Sequence, residues 1–145
     1  MLKNLSKYGE WTPVFLRIAL GLILIVHGYD KLFSSGVASF TSFLANIGFP
    51  AAMLFAWVVS IVEFFGGIFI LVGLFTRIVS LFIVIQFIVI LILKIFKFST
   101  PFVDFKTGVG GFQLDLIILA VALALLIRGS GKKWSLEKTV LKKEF

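Results

Sequence analysis

Four long stretches of this chain carry little charge, running from about Thr12 to Leu32, from Ala51 to Leu74, from Ile78 to Phe96 and from about Val109 to Arg128. Each holds roughly 19 to 24 residues, enough at about 1.5 Å of rise per residue to cross a hydrocarbon layer of about 30 Å. The runs lack the alternation of a β-barrel strand, and in lipid a helix satisfies such a backbone within its own segment. The pattern predicts an all-α membrane protein, a four-transmembrane-helix bundle forming one domain over residues 1–145 with a basic tail at 129–145.

Punctuation between the runs agrees with this. Pro13 suits a first helical turn with Thr12 before it, and Gly48-Phe49-Pro50 marks a stop and restart. Only Phe75-Thr76-Arg77 separates the second span from the third, which makes them antiparallel neighbours. The two outer connections, Phe33 to Pro50 and Lys97 to Gly108, are longer loops, and Phe98, Phe102 and Phe105 of the second are expected to rest in the membrane interface. Lys3 and Lys7 before an apolar run resemble a secretory signal, but Leu32 and Phe33 stand where a cleavage site needs small residues, so the span is expected to be retained.

Orientation follows from the distribution of lysine and arginine. One face collects Lys3, Lys7, Arg17, Arg77, Arg128, Lys132, Lys133, Lys138, Lys142 and Lys143, the other only Lys31, Lys94, Lys97 and Lys106. The richer face is expected to be cytoplasmic, which puts both termini inside a plasma (inner) membrane. Arg17 and Arg77 read as anchors reaching inner headgroups.

Composition narrows the chemistry. The chain is 60% hydrophobic and 14% charged, too apolar for a soluble domain of 145 residues. Its net charge of +7 sits at span ends, where anionic lipid is the expected partner and nucleic acid is not. With no cysteine and one histidine, neither an iron–sulfur cluster nor a haem held by two histidines is available from this chain, and no metal is expected.

The informative residues are the polar ones within or at the margins of the spans: Arg17, His27, Glu63, Gln86 and Asp115. Glu63 is the thirteenth of 24 residues in its span, out of reach of bulk water, so it needs a partner or a proton. Ala52, Ala56, Ser60 and Gly67 share its helical stripe with Gly66 alongside, which turns that face toward another helix. A protonated Glu63 serving only as glue between helices is the plainer reading. His27 lies near the outer end of the first span, beside Gly28, which leaves room for a ligand or a neighbouring backbone. Asp115 is expected at similar depth, so that His27, Asp115 and Glu63 converge as a proton relay. Gln86 reads as interhelical hydrogen-bonding material.

Three elements in order resemble the DoxX family of small four-helix membrane proteins. They are Arg17-Ile-Ala-Leu-Gly21 leading to His27-Gly28-Tyr29-Asp30-Lys31-Leu32, then Glu63-Phe-Phe-Gly66-Gly67 leading to Gly73-Leu74-Phe75-Thr76-Arg77, and finally Arg128-Gly129-Ser130-Gly131 before Trp134-Ser135-Leu136. The resemblance implies a membrane subunit working at the quinone pool, with a membrane or soluble redox partner and no tightly held cofactor. On that basis Glu63, His27 and Asp115 are the expected catalytic residues, and His27, Tyr29, Gly66 and Gly67 are expected to bind an exchangeable quinone. Membrane lipids and a second copy of the chain are further expected partners. Two other classes stay open: a small-molecule or lipid carrier coupled to protons through Glu63, and a structural assembly factor.

Overall fold

The computed structural model describes residues 8–103 and 111–140, and all regular structure among them is helical. Lys3, Lys7, Phe105, Lys106, Gly108, Val109, Lys142 and Lys143, used above for boundaries and orientation, lie outside the described residues. The elements are α1 (Thr12–Tyr29), α2 (Gly36–Asn46), α3 (Ala52–Val72), α4 (Thr76–Ile92), α5 (Gln113–Arg128) and the short α6 (Leu136–Thr139). Among the described residues three helices are long and apolar enough to cross a membrane: Tyr8–Ser34, Ala52–Val72 and Thr76–Lys97.

Two of these spans end alike. α1 continues into a π-helical turn, Asp30–Ser34, closed by Ser35 N–H donating to the Asp30 carbonyl at 2.9 Å. α4 continues into another, Leu93–Lys97, closed by Phe98 N–H donating to the Leu93 carbonyl at 3.0 Å. Both turns carry a lysine at their second position, Lys31 and Lys94. Such turns insert one residue into a helical frame and often mark functional sites.

α1 and α3 pack closely because glycine removes the side chains between them. A Cβ on Gly21 would stand 2.9 Å from the Gly67 carbonyl oxygen, and one on Gly67 would stand 2.8 Å from the Ile25 nitrogen. Farther out, Gly28 abuts the backbone of Phe64, so the two helices run antiparallel with their backbones in contact. α4 and α5 form the second intimate pair, joined through Ile83, Val84, Phe87, Ile118, Ala122 and Leu125 in one buried cluster with Leu20 and Leu24 of α1. Gly73 ends α3 in the left-handed region at φ 70°, where its N–H donates to the Ile70 carbonyl and that of Leu74 to Phe69, and the chain turns at once into α4.

Two findings depart from the sequence reading. The connection after Phe33 is helical, not irregular: α2 lies against α3, with Val37 and Leu44 buried beside Ala56. Arg17 is no headgroup anchor. It is 1% exposed, and its Nη2 donates to the carbonyls of Trp134 at 2.8 Å and Lys133 at 3.2 Å. The segment after α5 thus folds back across the bundle end, where Ser135 Oγ and the Glu137 N–H both donate to the Gly73 carbonyl at 3.1 Å. Gly131 rests on Pro13, and Trp134 meets Trp11 edge to face at 5.6 Å. At least the described part of the basic tail is a latch on the bundle.

Candidate functional site

Glu63, the twelfth of the 21 residues of α3, is 2% exposed and fully engaged. Lys31, at the far end of α1, reaches it with Nζ 2.6 Å from Oε1 and 2.5 Å from Oε2. From α4, Gln86 Nε2 donates to Oε1 at 2.5 Å. Three helices thus meet on one carboxylate. Burial leaves it no water, and the ammonium and amide supply the hydrogen bonds that water would have given.

A second pair repeats the pattern. Lys94 Nζ lies 2.5 Å from Asp115 Oδ2, with the two side chains 33% and 13% exposed. In each case a lysine on a π turn meets an acid on the next long helix. Gln86 and Lys94 are eight residues apart on α4, so the two polar stations are separated by about 12 Å along the helix.

Between the stations lies a cavity of about 680 Å³, within the range that holds drug-sized ligands. Its walls are apolar: Val58, Val59 and Val62 from α3, and Phe82, Ile85, Val89 and Ile90 from α4. Lys31, Gln86, Lys94 and Asp115 supply its polar lining. α2 and the residue that follows it close the end nearer the π turns with Phe40, Phe43, Leu44 and Ile47. That roof is fastened to the end of α4, because Lys97 Nζ donates to the Ile47 carbonyl and Phe43 stacks on Phe98 at 6.4 Å. Lys31 Nζ also sits 5.0 Å from the centre of the Phe40 ring, a cation–π contact that fixes roof and ion pair together.

The expected convergence of Glu63, His27 and Asp115 is only partly present. Glu63 backs the cavity through Lys31 and Gln86, and Asp115 lines it. His27 does not join them: it is exposed, is hydrogen-bonded to the Ile23 carbonyl at 2.8 Å and is absent from the cavity wall. Tyr29 is 55% exposed and packs on Phe33 and Phe64 instead of a ligand space. Gly66 and Gly67, expected at a cofactor, are consumed by helix packing, since a Cβ on Gly66 would stand 2.8 Å from the Val79 side chain and one on Gly67 would strike α1. Lys31 and Lys94 were counted in the sequence as outer-face charge, Lys31 also within the family motif, and neither was named as a site residue, yet they are the partners of both acids. The signal that marks them is their shared setting, Asp30-Lys-Leu-Phe-Ser34 and Leu93-Lys-Ile-Phe-Lys97. Among the described residues no group of three or more His, Cys, Asp or Glu side chains is placed to hold a metal.

Comparison with known proteins adds a family model described as DoxX, which matches residues 12–100. The chain is 30% identical over 126 residues to a Bacillus subtilis protein named "Putative oxidoreductase CatD", covering 87% of this chain and 85% of that one. It is 29% identical to "Uncharacterized membrane protein Rv3486" of Mycobacterium tuberculosis, covering 96% of this chain and 87% of the relative. No solved structure matches it.

Proposed function

The chain belongs to the DoxX family, and from that premise we propose that it is the membrane subunit of a quinone-linked oxidoreductase, with the cavity between α3 and α4 as its quinone site. The observation that carries the reading is the single apolar cavity wall interrupted by an ammonium and an amide that are both tied to a buried carboxylate. A quinone is a flat apolar ring bearing carbonyl oxygens, and such walls suit the ring while Lys31 and Gln86 suit a carbonyl. They take the role that the sequence suggested for His27. Reduction of a quinone consumes protons, which Glu63 and Asp115 exchange, and the electrons come from a membrane or soluble redox partner. The relative named as an oxidoreductase supports the reaction class.

The same reading includes the topology. α5, with 16 residues, forms a fourth crossing in partnership with α4, and both termini face the cytoplasm across the plasma membrane. The test is purification from native membranes followed by solvent extraction. Quinone near one equivalent is expected, and Glu63→Gln should lower turnover of the native complex far more than its stability. No extractable quinone together with undiminished turnover in Glu63→Gln would overturn the proposal, and solute movement by the purified chain without a redox partner would put a carrier in its place.

A further inference from the structure

The cavity is closed above and open to the side. Its end nearer the π turns is covered by α2, which the Lys97 link and the Phe43–Phe98 stack hold against α4. Several of its wall residues are nevertheless well exposed: Phe55 40% and Val58 45% on α3, Phe82 53% and Ile85 53% on α4. All four are apolar, and both helices are long enough to cross a membrane. The opening therefore faces hydrocarbon, where an exposed phenylalanine costs nothing and a polar rim would.

The polar groups within have a definite sense. Lys31 has three N–H donors, of which two meet Glu63, and the Gln86 amide has two, of which one meets Glu63. Among the described residues that leaves one donor on each beyond those that meet Glu63, with the Lys31 ammonium also facing the Phe40 ring. Glu63 itself is 2% exposed and absent from the wall, so a ligand at this station meets the Lys31 ammonium and the Gln86 amide before the Glu63 carboxylate.

We propose that the cavity is loaded sideways from the bilayer through the slot between α3 and α4, and that it selects apolar ring molecules presenting an acceptor oxygen to Lys31 and Gln86. This rests on the reading of the cavity as the site. It adds a route and a selection rule: carbonyl or phenolate oxygens are accepted, and hydrocarbons of the same shape are not. A lipid carbonyl offers similar chemistry, so the test separates the two sources.

Protein in lipid nanodiscs is titrated with menadione and with its carbonyl-free counterpart methylnaphthalene. Methylnaphthalene should bind about tenfold more weakly, the value of one buried hydrogen bond. Because the chain has no cysteine, the route is tested with single thiols. A bulky lipid-soluble maleimide on Phe82→Cys should slow menadione uptake, and an impermeant reagent on Ser42→Cys of the roof should not. Equal affinity for both probes, the reverse pattern of blocking, or a phospholipid that co-purifies and resists displacement by menadione would each overturn this inference. Val59→Phe and Val89→Phe fill the cavity from opposite helices. If both remain monodisperse and bind menadione as the parent does, the cavity is not the site and the proposed function fails with it; if they lose menadione while methylnaphthalene binds the parent equally well, this inference fails and the proposed function stands.

Discussion

Lys31 grips both oxygens of Glu63, at 2.6 and 2.5 Å, although the two residues are unequal in burial: the lysine side chain is 20% exposed and the glutamate 2%. The inequality decides what each mutation does. Lys31→Met leaves a buried carboxylate with the Gln86 amide in place of its counter-charge and should cost about 3 kcal/mol, whereas Glu63→Gln frees a long side chain that can swing toward the surface and should cost about 1 kcal/mol. The double variant should regain most of the loss. Unfolding midpoints in detergent measure all three, and equal losses in the two single variants would show that the pair is not asymmetrically buried.

Lys94 and Asp115 form the more exposed pair, 33% and 13%. Neutralising either with Lys94→Met or Asp115→Asn should change stability by less than about 1 kcal/mol. A loss as large as that of Lys31→Met would mean that water does not reach this station.

Glycine contacts between α1 and α3 give a sharper contrast. Gly28→Ala puts a methyl group into the backbone of Phe64, which cannot yield without parting the helices, and a loss of about 1–3 kcal/mol is expected. Gly9 has nothing within 4 Å, and Gly9→Ala should be neutral within about 0.5 kcal/mol. The two variants differ by one methyl group each, so thermal midpoints compare like with like.

The latch across the bundle end predicts protease sensitivity. Arg17→Ala removes both hydrogen bonds to the Lys133 and Trp134 carbonyls, and trypsin should then cut at Lys132 or Lys133 about tenfold faster. Unchanged cleavage would assign the latch to Ser135, Glu137 and the glycines alone.

Topology is tested by thiol labelling in intact cells. An impermeant reagent should modify Ser35→Cys from outside and leave Lys132→Cys untouched until the membrane is opened. The reverse labelling would invert the bundle while leaving the helix packing as described.

Much of the helical framework was legible because apolar runs bounded by Gly, Pro and charge leave few alternatives. The first run, expected over about residues 12–32, appears as Thr12–Tyr29 with its π turn, and Glu63 was singled out by depth alone. α2 was missed because the stretch from Phe33 to Pro50 is neither long nor apolar enough to stand out as a span, whereas burial of Val37 and Leu44 against α3 stabilises a helix that local propensity only permits. The site was half legible. Hydropathy shows that a carboxylate in a span needs a partner, but not which long side chain bends toward it. His27 looked like the partner by chemistry, and Lys31, one turn farther, takes the place because its stem reaches back to Glu63. Gly66 and Gly67 could be read as space for a ligand or for a helix, and tertiary packing chose the helix.

The π turns at Asp30–Ser34 and Leu93–Lys97 each shift the register within the helix end that they close. One extra residue in a helical turn rotates the downstream chain by about 100° relative to an unbroken α-helix. At the first of these turns the frame ends at Gly36, whose φ of 80° turns the chain into α2, so the shift acts on Lys31, which sits inside the turn and reaches Glu63. The inserted residue therefore tunes the ion pair, while the roof keeps its place over the chamber through Gly36, the Lys97 link and the Phe43–Phe98 stack.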